Sequence, residues 1–359
     1  MLYATPSLKP HLEALSELDE LRRKLGGEVS RAAPWVGRLR RQARVEAARS
    51  STAIEGYHVS DAVASAVVEG RATGDDEAPR AVACYALAMQ HVAVLADDAS
   101  FSWSKRLLLD LHFETCSSDP KARPGRFRDG PVLVTADGGG VAYRAPDQAE
   151  VPELMDELVA WLEHGDPEAP TVVRAAMAHL HLVSIHPFRD GNGRLSRILQ
   201  SLVLARDGVL SPELGSIESF LARDTLRYYE ALREVQGGSY QPRRSADSWL
   251  DYCIRAHLVL ARERLDTLHR AATRWEALEQ LVEQRGWPDR LVVALEQSLF
   301  TGAERAAYCD ETGVSTATAS ADLRRLRDAG LVETHGRGPT TRHLATERLR
   351  DLVGSEGHG

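Results

Sequence analysis

"HPFRDGNGRLSR", residues 186–197, sits between two apolar runs, "TVVRAAMAHLHLVSI" ahead of it and "LSRILQSLVLA" overlapping its end. Before it, Val173, Met177, Leu180 and Val183 recur at helical spacing; after it, Leu195, Ile198, Leu199, Leu202 and Val203 follow i, i+3, i+4, i+7, i+8. Both runs predict buried helices, the second beginning near Arg194. The polar stretch is then a tight loop between them. Gly191 and Gly193 let backbone N–H groups converge at a helix N-terminus, which makes an anion site. Arg194 and Arg197 fall in the first turn, where exposed cations oppose the helix macrodipole at about 0.3–1 kcal/mol each. A bound anion would turn that penalty into attraction. Either arginine alone could equally pair with a protein carboxylate, but beside Gly191, Asn192 and Gly193 a multiply charged phosphate is the better reading. Asp190 would repel a phosphate unless a divalent cation lay between, and one carboxylate plus phosphate oxygens is a common Mg²⁺ site. The plainer alternative for Asp190 is a solvent-facing turn residue. His186, where helix meets loop, can be neutral near pH 7 and accept a proton.

These residues resemble the signature of the Fic family, H-x-F-x-[DE]-G-N-G-R-x-x-R, at all of its specified positions. The likeness extends to "MAHLHLVSIHPF" and "RDTLRYYEAL" on either side, and to "PGRFRDGPVLV" and "YRAPDQAEVPELMDEL", which look like the two sides of the family's flap hairpin. It covers roughly residues 1 to 245. The resemblance implies transfer of AMP from ATP to a Ser, Thr or Tyr hydroxyl of a target protein, the chain itself among the candidate targets. It implies His186 as general base, Phe188 as the loop's anchor and Asp190 as the Mg²⁺ ligand. Gly191, Asn192 and Gly193 would form the anion hole, with Arg194 on the β-phosphate and Arg197 on the γ-phosphate. Tyr228 and Tyr229 match the family's Y-Y-x-A-L, near the nucleotide base, although bare aromatics on a helix are more often core. The kinase-like D-A-N-K variant is absent, which favours nucleotidyl transfer over phosphorylation. Upstream, "SSTAIEG" resembles the family's inhibitory motif through Ser51, Glu55 and Gly56. The implication is that Glu55 pairs with Arg197 and blocks a productive γ-phosphate pose.

Farther from the loop, the pattern is nearly all helical. Leucines at 12, 15, 18, 21 and 25 make one stripe, and a second helix over "RLRRQARVEAARSSTAIEG" should stop at Gly56. Further helices are expected near 78–96, 102–116, 150–164, 171–185 and 194–207, over "RDTLRYYEALREV", and from about 245 to 285. "PVLVT" and "GVAYRA" around "ADGGG" predict a hairpin over residues 131–145. The expected fold is mainly α: a Fic-type helical core with one β-hairpin flap, plus a C-terminal winged helix-turn-helix. The expected divisions are 1–77, helical with the inhibitory motif; 78–245, the catalytic core; 246–288, a helical linker; and 289–359, the winged unit.

That last unit rests on "TGVS" as a turn, "TATASADLRRLRDAG" as a second helix and "LVETHGRGPTTRHLA" as a wing. Its charges are balanced between residues 301 and 346. Arg305, Arg324, Arg325, Arg327, Arg337 and Arg342 face Glu304, Asp310, Glu311, Asp322, Asp328 and Glu333. Phosphate contacts supply most non-specific affinity, so strong DNA binding is not expected and docking of a protein or a homodimer partner is as good a reading. The net charge of −8 also argues against coating nucleic acid. With 43% hydrophobic and 27% charged residues, the chain has the composition of a soluble protein with a real core. Four scattered cysteines, no signal-like N-terminus and no long apolar run predict a cytoplasmic protein without a membrane span. The Arg-rich, Lys-poor composition reads as GC-rich bacterial coding. Two other readings stay open: a DNA-binding regulator with a nucleotide-sensing core, and an enzyme that uses another nucleotide or removes AMP.

Overall fold

The computed structural model describes residues 1–30, 33–72, 76–135, 140–336 and 341–354. The chain divides into two compact units, Met1–Arg31 with Arg38–Leu265, and Ala32–Gly37 with Asp266–Gly359. Among the described residues, no helix is long and apolar enough to cross a membrane. Cys84, Cys116 and Cys253 are buried free thiols, and Cys309 is free and half-buried.

The first unit opens with α1 (Leu12–Val29), α2 (Pro34–Ile54), α3 (Asp61–Val68), α4 (Glu77–Asp97) and α5 (Lys105–Cys116). A hairpin follows, β1 (Leu133–Thr135) and β2 (Val141–Arg144), antiparallel with Leu133 opposite Arg144 and Val134 opposite Tyr143. Four residues of the "ADGGG" tip, 136–139, lie outside the described residues. Then come α6 (Val151–His164), α7 (Thr171–Ile185), α8 (Asn192–Ala205), α9 (Pro212–Gly215), α10 (Glu218–Arg223), α11 (Thr225–Gln236) and α12 (Asp247–Gln284).

Every residue of α7 from Ala175 to Ile185 is buried, and α8 is nearly as enclosed. A helix apolar on all sides has to lie at the centre of its bundle. One apolar cluster joins α8 to α4, α5 and α6 through Tyr85, Leu108, Met155, Phe188 and Leu199. A second joins α7 to α11 and the start of α12 through Met177, Leu180, Tyr228, Trp249 and Cys253. The loop between α7 and α8 is thus held by two packed layers.

The structure departs from the sequence expectations in four places. Leu12 is exposed, so the buried stripe of α1 starts at Leu15. The helix expected from Arg194 begins two residues earlier, at Asn192, because Gly191 turns the chain into it with φ +80°. α3, α9 and α10 are too short to have shown a period. The expected linker over 246–288 is one continuous helix, α12, and the compact units divide within it, between Leu265 and Asp266. Trp249, Leu250 and Ile254 belong to the first unit's core, and Leu278, Leu281 and Val282 to the second's. An apolar stripe along its whole length makes α12 a core element.

The second unit continues with α13 (Leu291–Leu299), β3 (Ala303–Glu304), α14 (Arg305–Thr312), α15 (Thr316–Asp328), β4 (Val332–His335), β5 (Arg342–Ala345) and α16 (Glu347–Leu352). The strands form an antiparallel sheet in the order β3-β5-β4. Gly313, at φ +70°, ends α14, and Ser315 caps α15 by accepting from the Thr318 N–H at 3.2 Å. Residues 337–340, with Arg337 of the charge count, lie outside the described residues. Asp322 is buried, accepting from Arg290 Nε at 2.7 Å and the Tyr308 hydroxyl at 3.0 Å.

Trp249 is fully buried and its indole N–H donates to the Ala176 carbonyl of α7 at 2.8 Å. Trp249→Ala should lower stability by about 3–5 kcal/mol through cavity formation, read as a drop in the urea midpoint.

Candidate active site

The loop from His186 to Gly191 is built by groups that never leave the protein. The Asn192 side chain closes it: Oδ1 accepts from the Phe188 N–H at 2.9 Å and Nδ2 donates to the Phe188 carbonyl at 2.9 Å. That amide is therefore spent on shaping the loop, and only the Asn192 backbone remains for an anion. Phe188 is fully buried and stacks on His112, ring centroids 3.7 Å apart and 10° from parallel. His112 Nδ1 accepts from the Gly125 N–H at 3.0 Å, so its other nitrogen carries the proton and donates to the Asp190 carbonyl at 2.9 Å. Burial pushes the His112 pKa down to about 4, which keeps the ring neutral.

Arg128 ties the hairpin to the same loop. Its Nε donates to the His186 carbonyl at 2.8 Å, Nη1 to Gly130 at 3.0 Å and Nη2 to Pro146 at 2.6 Å. Its own N–H donates to the Pro187 carbonyl at 2.9 Å. Tyr143 of β2 adds a hydroxyl bond to the Ser184 carbonyl of α7.

Two glycines shape the loop's entry into α8. At Gly191 a Cβ would strike Cys116 Sγ, and the φ of +80° already favours glycine. At Gly193 a Cβ would strike Glu55 Oε1 and lie 3.3 Å from Arg197 Nη1.

Arg197 is 1% exposed and heavily engaged. Nε donates to Ser51 Oγ at 2.7 Å, and Nη2 donates to the Ser51 carbonyl at 2.9 Å and to Glu55 Oε1 at 2.7 Å. Burial works against its charge, but Glu55 and the nearby tyrosine hydroxyls outweigh it and hold its pKa above the usual arginine value. The pair expected between Glu55 and Arg197 is present. Gly56, at φ +89°, turns the chain directly after Glu55. Arg194 is 2% exposed, with its guanidinium 5.3 Å from the Tyr57 ring centroid.

Two buried guanidinium nitrogens, Arg194 Nε and Arg197 Nη1, have no hydrogen-bond partner. Each is a donor in need of an acceptor. Asp190 is half-exposed; Oδ1 accepts from the Gly191 N–H at 2.6 Å and Oδ2 lies 3.4 Å from Arg194 Nη2. Among the described residues, no group of three His, Cys, Asp or Glu side chains could cage a metal. A lone accessible carboxylate beside an anion loop does fit Mg²⁺, which often takes its remaining ligands from phosphates and water.

His186 ends α7 in the left-handed region, φ +51°. Its Nδ1 lies 3.2 Å from the Val183 carbonyl, which can only accept, so Nδ1 holds the proton and Nε2 is the basic nitrogen. The ring keeps some solvent access, while burial lowers its pKa to about 4. At neutral pH it is ready to accept a proton.

The structure separates the two tyrosines. Tyr228 is 1% exposed, and its hydroxyl donates to His179 Nε2 at 3.1 Å; His179 in turn bonds Gln200 at 2.7 Å. It lies beneath the arginine rather than on an accessible face. Tyr229 is exposed and donates to the Ile54 carbonyl at 3.3 Å, next to Glu55. His112, Arg128 and Tyr57 are additions that sequence reading missed. A polar residue interrupting the stripe Leu108, Leu111, Thr115 was the available hint for His112; Arg128 gave none.

Residues 102–204 match the Fic/DOC family. Over those residues the chain is a Fic domain. The Fic-domain structure from Desulfovibrio desulfuricans G20 aligns over 96% of this chain and 98% of that one, with a TM-score of 0.62 and 23% identity, a likeness of fold. "Protein adenylyltransferase Fic" of Aedes aegypti is 32% identical over 246 residues, 66% of this chain and 46% of the relative. "Protein adenylyltransferase fic-1" of Caenorhabditis elegans is 29% identical over 170 residues, 47% of this chain and 29% of the relative. The chain thus spans less than half the length of these two relatives. The Fic match contains His112, Arg128 and the whole loop; Ser51, Glu55, Tyr228 and Tyr229 lie outside it.

Both His112 and His186 titrate near 4 when folded and near 6.5 when unfolded. Between those values the unfolded chain binds more protons, so stability rises with pH. Their contribution is complete above the unfolded pKa and is lost as pH falls toward 4. The urea midpoint should therefore be lower at about pH 5 than at about pH 7.5; equal midpoints would contradict buried neutral rings.

Proposed function

We propose that this Fic protein is a protein adenylyltransferase, moving AMP from ATP to a Ser, Thr or Tyr hydroxyl of a target protein, and that Glu55 holds it in check. The observation that carries this reading is a neutral histidine with a basic Nε2, beside a cradle with two unpartnered guanidinium nitrogens. Likeness to relatives bearing the adenylyltransferase name supports it.

In this reaction His186 Nε2 takes the proton as the target's hydroxyl oxygen bonds to the α-phosphorus and pyrophosphate leaves. Backbone N–H groups at Asn192 and Gly193, joined by that of Gly191 once it leaves Asp190 Oδ1, would hold phosphate oxygens at the positive end of α8. Arg194 and Arg197 would bind the β- and γ-phosphates, satisfying their orphaned nitrogens. Asp190 is the residue that would hold Mg²⁺, which when bound would neutralise phosphate charge. Positioning and charge neutralisation carry such transfers, and covalent catalysis is not needed. Tyr229 is the accessible aromatic for the base side, and Tyr228 supports Arg197 from below. The β1–β2 hairpin would receive the target as an added strand, with backbone bonds setting its register.

For the second unit we propose a winged helix-turn-helix that docks a protein or a second copy of the chain. The exposed start of α15 carries Thr316, Ala317 and Thr318, and its arginines, Arg324, Arg325 and Arg327, cluster at the other end. That arrangement offers little to DNA at the helix N-terminus, the part that usually meets base edges. Buried free thiols suit a reducing compartment, and we place the reaction in the cytoplasm.

Glu55 holds the γ-phosphate arginine and faces the triphosphate. Two unit charges about 4 Å apart at an effective dielectric near 20 interact by roughly 4 kcal/mol. At about 1.36 kcal/mol per tenfold, Glu55→Gly should raise AMP labelling of targets or of the chain itself by as much as about a thousandfold. Labelling no stronger than wild type would remove the inhibitory role. Adding His186→Ala to that variant should reduce labelling about 10²–10⁴-fold while ATP binding persists. Near-undiminished labelling by the double variant would take the base role from His186.

A further inference from the structure

Away from the loop, the first unit contains a second cavity of about 440 Å³, within the size range of small-ligand sites. Ala86, Met89 and Ala93 of α4, with Leu210, give it an apolar wall. Its polar groups come from three segments: Arg40 and Arg44 of α2, Gln90 and Asp97 of α4, and Ser211 and Glu213 beyond α8. Several of these have unmet bonding capacity. Arg40 Nε and Ser211 Oγ are buried without partners. Glu213 is 8% exposed, and its carboxylate makes no hydrogen bond or ion pair among the described residues. Arg44, at the exposed rim, also lacks a partner there. Buried polar groups in native proteins are nearly always bonded, so this set calls for a ligand with matching groups. Two arginines at one side call for an anionic end, an apolar wall for an apolar body, and the carboxylates of Asp97 and Glu213 with the Ser211 hydroxyl for a donor.

The cavity also touches both helices that carry the blocking ion pair. Residues 40, 44, 47 and 51 of α2 follow helical spacing and form one stripe, and Glu55 sits in the turn just past its end. Arg40, Arg44 and Ala47 line the cavity; Ser51 and Glu55 grip Arg197. From residue 40 to its end at residue 54, α2 is about 21 Å of continuous helix, and Glu55 follows directly. α8 likewise runs from Arg197 to Ala205, which lines the same cavity.

We infer that this cavity binds a small organic anion with an apolar body, and that its occupancy strengthens the Glu55–Arg197 pair through α2. The open cavity and the formed ion pair belong to one conformation. A ligand that fits the first therefore favours the second, as far as it binds that conformation better. By linkage, whatever releases Glu55 weakens the ligand by the same factor. The effect on ATP rests on the reading of Glu55 given above; the existence of the site does not.

The test uses the full chain with anilinonaphthalene sulfonate as probe, an anion with an apolar body, followed by its fluorescence. One saturable site is expected. Arg44→Glu, an exposed position, and Ala93→Leu, which fills the cavity, should each weaken it about tenfold or more without lowering the melting temperature. Saturating probe should weaken ATP binding by about fivefold or more in wild type and leave it unchanged in Arg44→Glu. Probe binding indifferent to both substitutions overturns the site. ATP affinity that is the same with and without probe, or that falls equally in Arg44→Glu, overturns the coupling. Glu55→Gly without probe is the reference: if its AMP labelling is no stronger than wild type, the reading of Glu55 fails, while probe binding compared between wild type and Arg44→Glu still decides the cavity.

Discussion

A guanidinium sealed from water must be surrounded by acceptors, and Arg197 sets that demand at the centre of the first unit. Breaking a buried ion pair by removing one partner typically costs about 3–5 kcal/mol, because a charge is left stranded. Arg197 avoids that fate through Ser51, which supplies a hydroxyl and a carbonyl independent of Glu55. Losing Glu55 therefore leaves the arginine partly satisfied and open to another anion. The α2 motif is built so that one residue anchors the cation and another, four positions on, can be exchanged. The neighbouring geometry follows: a side chain at Gly193 would meet Glu55 Oε1, and Tyr228 and His179 stay uncharged beneath the arginine because both are sealed from water.

Much of this was legible in the sequence where local chemistry and period change together. The loop stood out because His, Asp, Gly and Asn interrupt two runs of strict helical spacing, and the boundaries of α7 followed from the same contrast. The residues that position the loop were not legible, since they act across the fold. Arg128 reaches carbonyls at the start of the loop and on both flanks of the hairpin, and His112 works from another helix. Neither leaves a pattern in its own neighbourhood. Asn192 was found for a good reason, but its side chain does different work: it staples Phe188, and only its backbone faces outward.

The second unit shows why counting charges along a chain misleads. Asp322 was weighed as a surface acid, yet it is the buried acceptor of Arg290 and Tyr308 and belongs to the core of the helix pair. Its neighbour in the count, Glu304, pairs with Arg342 across two strands. The charges that remain on the surface are distributed by helix face, which a linear tally cannot see. α12 is the same lesson in apolar form, since a stripe that never lapses makes a core element of a segment that composition alone would pass as a connector.

His186 closes α7 in a left-handed conformation, where glycine is the residue most often found and other residues are strained by about 1–2 kcal/mol. The fold alone would be content with glycine there. Any selection that rewarded melting temperature alone would drift toward glycine or asparagine at this position, and the sturdier chain would have discarded its base. The histidine is a place where local comfort and chemical purpose point in opposite directions.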